Sequence, residues 1–75
     1  MTQLPVISGR ERVAALERAR FTVRRQGGSH IVMRRDDPFA QTVVPDHRTL
    51  DRGTLRAILR QAGLNVDDFV RLLDA

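Results

Sequence analysis

Phe21-Thr22-Val23-Arg24-Arg25-Gln26-Gly27-Gly28-Ser29-His30-Ile31-Val32-Met33-Arg34 reads as two β-strands joined by a glycine turn. Phe21 to Arg24 alternates apolar and polar residues with β-branched content, the period of a half-buried strand. Gln26, Gly27 and Gly28 carry the turn signal, and Ser29 to Arg34 alternates again. Phe21 and Val23 on the first strand, and Ile31 and Met33 on the second, are the expected core face. By the same parity His30 and Arg34 point the other way, beside Val32.

Working outward, Asp36, Asp37 and Pro38 form a second turn, because adjacent strand carboxylates face opposite sides and Asp before Pro opens turns. Gln41 to Val44 is a third strand, stopped by Pro45. Antiparallel pairing with the second strand across a loop of about four to six residues returns its end, near His47, towards His30. Phe39, at the turn tip, is expected to fold back on the core, with stacking on a nucleobase as the alternative. Upstream, Ser8 and Glu11 have the spacing of a capping box, so a helix is expected from Ser8 to about Arg20. Its buried stripe is Val13, Leu16 and the alanines between them, with Arg10, Arg12, Glu17 and Arg18 elsewhere. Downstream, Asp51 caps a helix through Gln61, with Leu55, Ile58, Leu59 and Ala62 on one face and Gly63 past its end. Asn65 and Asp68 repeat the cap pattern and start a short last helix, whose Phe69, Val70, Leu72 and Leu73 close the core.

The 75 residues make one domain, residues 1–75, near the size where only about 60% of the unfolded surface can be buried. A hydrophobic share of 41% with 29% charged residues is that of a folded chain. Without cysteine there is neither a disulfide framework nor a thiolate metal site, which fits a reducing compartment. Met1 to Ile7 lacks a basic region followed by an apolar run, and no apolar stretch has the length of a membrane span. A cytoplasmic protein with no membrane contact is expected. All 13 basic residues are arginines, for a net charge of +4. Residues 1–37 hold eight of them against four acids, and Arg18 to Arg35 holds six with no acid. Such a field favours a polyanion or an acidic partner, and equally describes a solvated basic face.

The candidate chemistry sits at His30. Imidazoles titrate near neutral pH and guanidinium forks match phosphates, so His30 beside Arg24, Arg25, Arg34 and Arg35 suits work on a phosphodiester. Gly28 and Ser29 add hydrogen-bond donors at the turn. The plainer reading of His30 is a half-exposed strand histidine, and that of His47 is a loop histidine capping a turn. The two histidines have no third or fourth ligand at useful spacing, so neither a metal nor another cofactor is expected.

Helix, three antiparallel strands, helix and short C-terminal helix make an α+β fold like that of double-stranded-RNA-binding domains. Within that frame, Gly28-Ser29-His30, Val44-Pro45-Asp46-His47 and Gly53-Thr54-Leu55-Arg56-Ala57-Ile58-Leu59-Arg60-Gln61-Ala62-Gly63 resemble the HicA toxins of bacterial toxin-antitoxin pairs. The likeness runs from the first helix to Phe69. It departs at Arg20, where relatives often have glycine, and that bears on the end of the first helix. The resemblance implies a metal-independent endoribonuclease that cleaves messenger RNA as a single strand and halts translation, held inactive by a HicB-type antitoxin over its active surface. It also implies that the histidine of the Gly-Ser-His motif, His30, is the essential residue. RNA carries its own nucleophile in the 2′-hydroxyl, so an imidazole acting as base or acid supplies the proton transfer, while Arg24, Arg25, Arg34 or Arg35, with Gly28, Ser29 and His47, hold the RNA. The rivals are a non-catalytic RNA-binding module of the same fold and a protein that docks an acidic partner. Against the duplex-binding rival, only Arg52 and Arg56 flank Gly53 where such domains carry a basic cluster.

Overall fold

In the computed structural model, which describes residues 4–74, Ser8 caps the first helix, α1 (Gly9–Arg18). Its Oγ accepts the Glu11 N–H at 3.1 Å and the Glu11 carboxylate accepts the Ser8 N–H at 3.0 Å, the expected capping box. The helix stops two residues short of Arg20 because the chain turns left-handed there. Arg20 has φ +73°, its N–H donates to Glu17 O, and the Phe21 N–H donates to Leu16 O. This is the hydrogen-bonding of a Schellman motif. The second helix, α2 (Arg52–Ala62), ends with the same pair of bonds, Gly63 N–H to Arg60 O and Leu64 N–H to Leu59 O, and with the same φ of +73° at Gly63. One position carries the glycine that this geometry favours, and the other carries an arginine.

Between the helices lie β1 (Thr22–Gly27), β2 (His30–Asp36) and β3 (Phe39–Pro45), antiparallel in the order β1-β2-β3. Both connections are shorter than expected. Gly27 pairs with His30 around Gly28 and Ser29, with the positive φ of +57° on Gly28. Asp36 pairs with Phe39 around Asp37 and Pro38 alone, which extends both strands by two residues beyond the alternating core. The third helix, α3 (Val66–Asp74), begins where the Asn65 side chain accepts the Asp68 N–H at 2.7 Å. The chain is therefore α+β, with one helix, a three-stranded antiparallel sheet and two further helices, in the layout of a double-stranded-RNA-binding domain. No described helix is long and apolar enough to cross a membrane.

Two apolar clusters hold these elements together. Phe21, Ile31, Met33 and Val44 meet Val13, Leu16, Ile58 and Ala62 between sheet and helices. Leu4, Ile7, Ala15, Leu55, Leu59 and Phe69 join the three helices to the chain ahead of α1. Two expectations fail against this packing. Val23 pairs with Met33 on the covered side, yet it remains 41% exposed because β1 is an edge strand that overhangs the helices, which pack mainly against β3. Arg12 is fully buried rather than on the polar side of α1: its guanidinium lies 5.9 Å from the Phe69 ring centroid, and its nitrogens have no hydrogen-bond partner among the described residues. Burial pulls its pKa down to about 10, opposed in part by the negative charge of Asp51. It remains a cation at neutral pH, and a costly one. Asp51 itself is held below the ordinary carboxylate range, chiefly by the Thr54 N–H that it accepts at 2.6 Å as the cap of α2.

Two stability measurements follow from these sites. Arg20→Gly relieves the left-handed strain and is expected to stabilise the fold by about 1 kcal/mol in urea unfolding, whereas Arg20→Ala gains nothing. Arg12→Met keeps an unbranched apolar stem, shorter than arginine, and removes the buried charge, so the unfolding midpoint should rise by the equivalent of about 1 kcal/mol. A fall would mean that the contact with Phe69 outweighs the desolvation.

Candidate nucleic-acid interface

The alternation that buries Ile31 and Met33 of β2, and Ala40, Thr42 and Val44 of β3, turns their neighbours to the opposite face of the sheet, which no described helix covers. On that open face β2 presents His30, Val32, Arg34 and Asp36, and β3 presents Pro45, Val43, Gln41 and Phe39 directly across from them. β1 completes the face through an irregularity. Its register against β2 slips between Val23 and Arg25, so Arg24 is the extra residue of a bulge, and Arg25 lies opposite Val32. Unbroken alternation from Val23 would have sent Arg25 to the helix side.

His30 opens β2 and is exposed. Its lateral neighbours are Gly27, which has no side chain, and Pro45, whose ring is short, so the imidazole stands clear on both sides. Three contacts tie the corner beneath it. The Asp46 N–H donates to Ser29 O at 2.7 Å, and the Gly9 N–H donates to His47 O at 2.8 Å. The Arg10 guanidinium grips the Asp46 carboxylate through Nε at 3.2 Å and Nη2 at 3.0 Å. The chain at His47 is thus fastened beside the hairpin tip that carries Ser29 and His30, as the strand pairing predicted, and the His47 side chain is exposed. Arg10 and Asp46 escaped the sequence reading because 36 residues separate them and no local spacing announces such a pair.

The four arginines expected around His30 part company here. Arg25 and Arg34 share its face. Arg34 is partly occupied: its Nε sits 2.9 Å from Asp36 Oδ1, a charge contact whose N–H is not aimed well enough to count as a hydrogen bond. Arg24 lies exposed in the bulge on the edge strand. Arg35 is turned to the helix side, stacked 4.8 Å from the Phe21 ring centroid, with Nε donating to Pro38 O at 3.0 Å and Nη2 to Ala62 O at 3.4 Å. That cation sits at the C-terminus of α2, where unpaired carbonyls and the helix dipole favour it. Phe39, expected to fold back on the core, is instead 68% exposed. Among the described residues no cluster of three or more His, Asp or Glu is placed to hold a metal ion.

The resulting surface carries an unshaded imidazole, two arginines on the same face and a bonded turn of Gly28 and Ser29, features that suit an RNA backbone. A search of curated proteins finds no match to the chain. The family model for the HicA toxin of bacterial toxin-antitoxin systems matches residues 9–64, a span that takes in α1, the whole sheet, α2 and all three motifs of the sequence reading. By that match over most of its length, the chain belongs to the HicA toxin family.

Proposed function

We propose that this toxin is a metal-independent endoribonuclease that cuts messenger RNA as a single strand on the open face of the sheet, with His30 as its proton-transfer group. The reaction needs little from the protein. A ribose 2′-hydroxyl attacks the adjacent phosphorus, its proton leaves to a base, and the 5′-oxygen of the next nucleotide departs with a proton from an acid, leaving a cyclic phosphate. His30 serves one of these transfers, and a positioned imidazole is worth roughly 10² to 10⁴ in rate. Arg25 and Arg34 supply positive charge where the crowded phosphate gains negative charge, and the Ser29 hydroxyl and the amides of the turn add donors. Arg24 reaches the strand from the bulge, and Arg35 is assigned no part in binding.

The observation that carries this reading is the clear imidazole at the Gly27-His30-Pro45 row. A structural histidine is normally packed or shaded, whereas this one borders only a glycine and a proline. His47, fastened at the same corner, is the candidate for the opposite proton transfer. Cleavage of messenger RNA in the cytoplasm would stop translation. Membership of a toxin-antitoxin family implies a neutralising antitoxin, and we assign it to the HicB type, covering the same face.

The purified protein should cut a single-stranded messenger RNA fragment in the presence of EDTA. His30→Ala should lose about 100-fold or more of that rate while keeping the native circular dichroism spectrum. His47→Gln separates the second role, since a loss of similar size names it the partner acid or base. Undiminished cleavage by His30→Ala would sink the assignment. RNA binding without cleavage by the parent protein would leave the non-catalytic RNA-binding module.

A further inference from the structure

We infer that Phe39 is a base-stacking position at the far end of the RNA track, so that the open face engages a strand of about four nucleotides running from His30 to this ring. The inference rests on the proposed use of that face for RNA and adds to it a second contact, remote from the chemistry.

Among the described residues Phe39 is the most exposed of the large apolar side chains, at 68%, and it lies opposite Asp36 on the face that His30 shares. Six residue steps of β2 separate His30 from Asp36, about 20 Å at strand rise. That is a few nucleotides of extended strand, near the lower end of what a small single-strand-binding sheet covers. Between the two ends stand Arg25 and Arg34, the cations of the face. The charge at the ring itself differs. Asp36 is exposed beside Phe39 and draws on Arg34, so this end repels a phosphate and leaves the ring to a base, whose π-face any aromatic accepts. A protein partner would be better served by a contiguous apolar patch. Here the row of Arg34 and Gln41 cuts the phenyl ring off from Val32 and Val43. A lone ring framed by polar groups, in line with a cationic track, suits a nucleobase.

The test uses the full chain carrying His30→Ala, so that the probe survives, titrated with an end-labelled mixed-sequence RNA octamer at fixed salt and followed by fluorescence anisotropy. Phe39→Ala should weaken binding about tenfold or more. Phe39→Tyr, which still stacks, should bind like its parent, as should Val6→Ala, another exposed apolar residue outside the sheet. With His30 intact, Phe39→Ala should raise KM and leave kcat alone, because the ring lies far from the reacting bonds. Equal RNA affinity of Phe39→Ala and its parent overturns the inference, and if that variant instead loses affinity for the antitoxin, the ring belongs to protein docking. The two proposals fail separately. Binding that depends on Phe39 without any cleavage removes the ribonuclease reading alone, and cleavage with binding indifferent to Phe39 removes this one alone.

Discussion

The close approach of α1 to the end of β3 is the constraint on which the corner of His30 and His47 depends. A Cβ at Gly9 would collide with the Pro45 carbonyl oxygen, so only glycine lets the first turn of the helix come down on the strand. Once it does, the Gly9 N–H, which no residue within the helix can satisfy, finds His47 O, and Arg10 reaches Asp46. Asp46 in turn closes on Ser29. A helix start, a strand end and a hairpin tip thus share one set of bonds, and both histidines are attached to it. The proton-transfer roles proposed for these histidines need such a scaffold, because an error of about 1 Å in placement is enough to cost a large factor in rate.

Which side chains of β1 join the open face is decided by the bulge at Arg24. One extra residue in β1 resets the parity, moving Arg25 to the open face and Gln26 opposite Ile31. The same irregularity breaks the regular edge of β1, all six of whose residues are exposed, and a broken edge bearing two adjacent arginines is a poor template for another strand. A single local distortion therefore serves the cationic face and guards against edge-to-edge association. Arg35 is the counterpart on the covered side, where stacking on Phe21 and bonding to Ala62 O spend its charge on joining the end of α2 to the sheet.

What could be read from the sequence was what short-range spacing encodes. The capping box at Ser8, the cap at Asp51, the glycine at Gly63 and the alternation through Ile31 and Met33 each depend on residues within a few positions of one another, and each is found in the fold. What escaped depends on partners remote in the chain or on a count that alternation cannot see. Parity reasoning has no term for a bulge, so it cannot place Arg25, and it has none for an edge strand that overhangs the helices, which is why Val23 is exposed although it faces the covered side. Nor does alternation show that Asp37 and Pro38 alone connect β2 to β3, the short turn that puts Phe39 on the open face. Arg12 was sorted by its charge alone, and nothing near it in sequence reveals that Phe69 comes to lie over it.

That burial bears on the last helix. The family match ends at residue 64, and α3 begins at Val66, so the element that covers Arg12 lies beyond the shared span. Phe69 is fully buried against α1 and α2, and Arg18 Nη1 donates to Leu72 O at 2.6 Å, so α3 is bound to α1 at both of these points. Its apolar side, with Phe69 buried and Leu72 and Leu73 half-buried, removes surface from water, which a chain of 75 residues can scarcely forgo. The cost is a guanidinium sealed in without a hydrogen-bond partner among the described residues. Burial of Phe69, with Leu72 and Leu73 half-buried, works against that penalty, and the negative charge of Asp51 offsets part of it. Docking α3 on α1 also holds the helix whose first turn anchors the corner of His30 and His47, so the appended element steadies the proposed RNA face from the far side of the molecule.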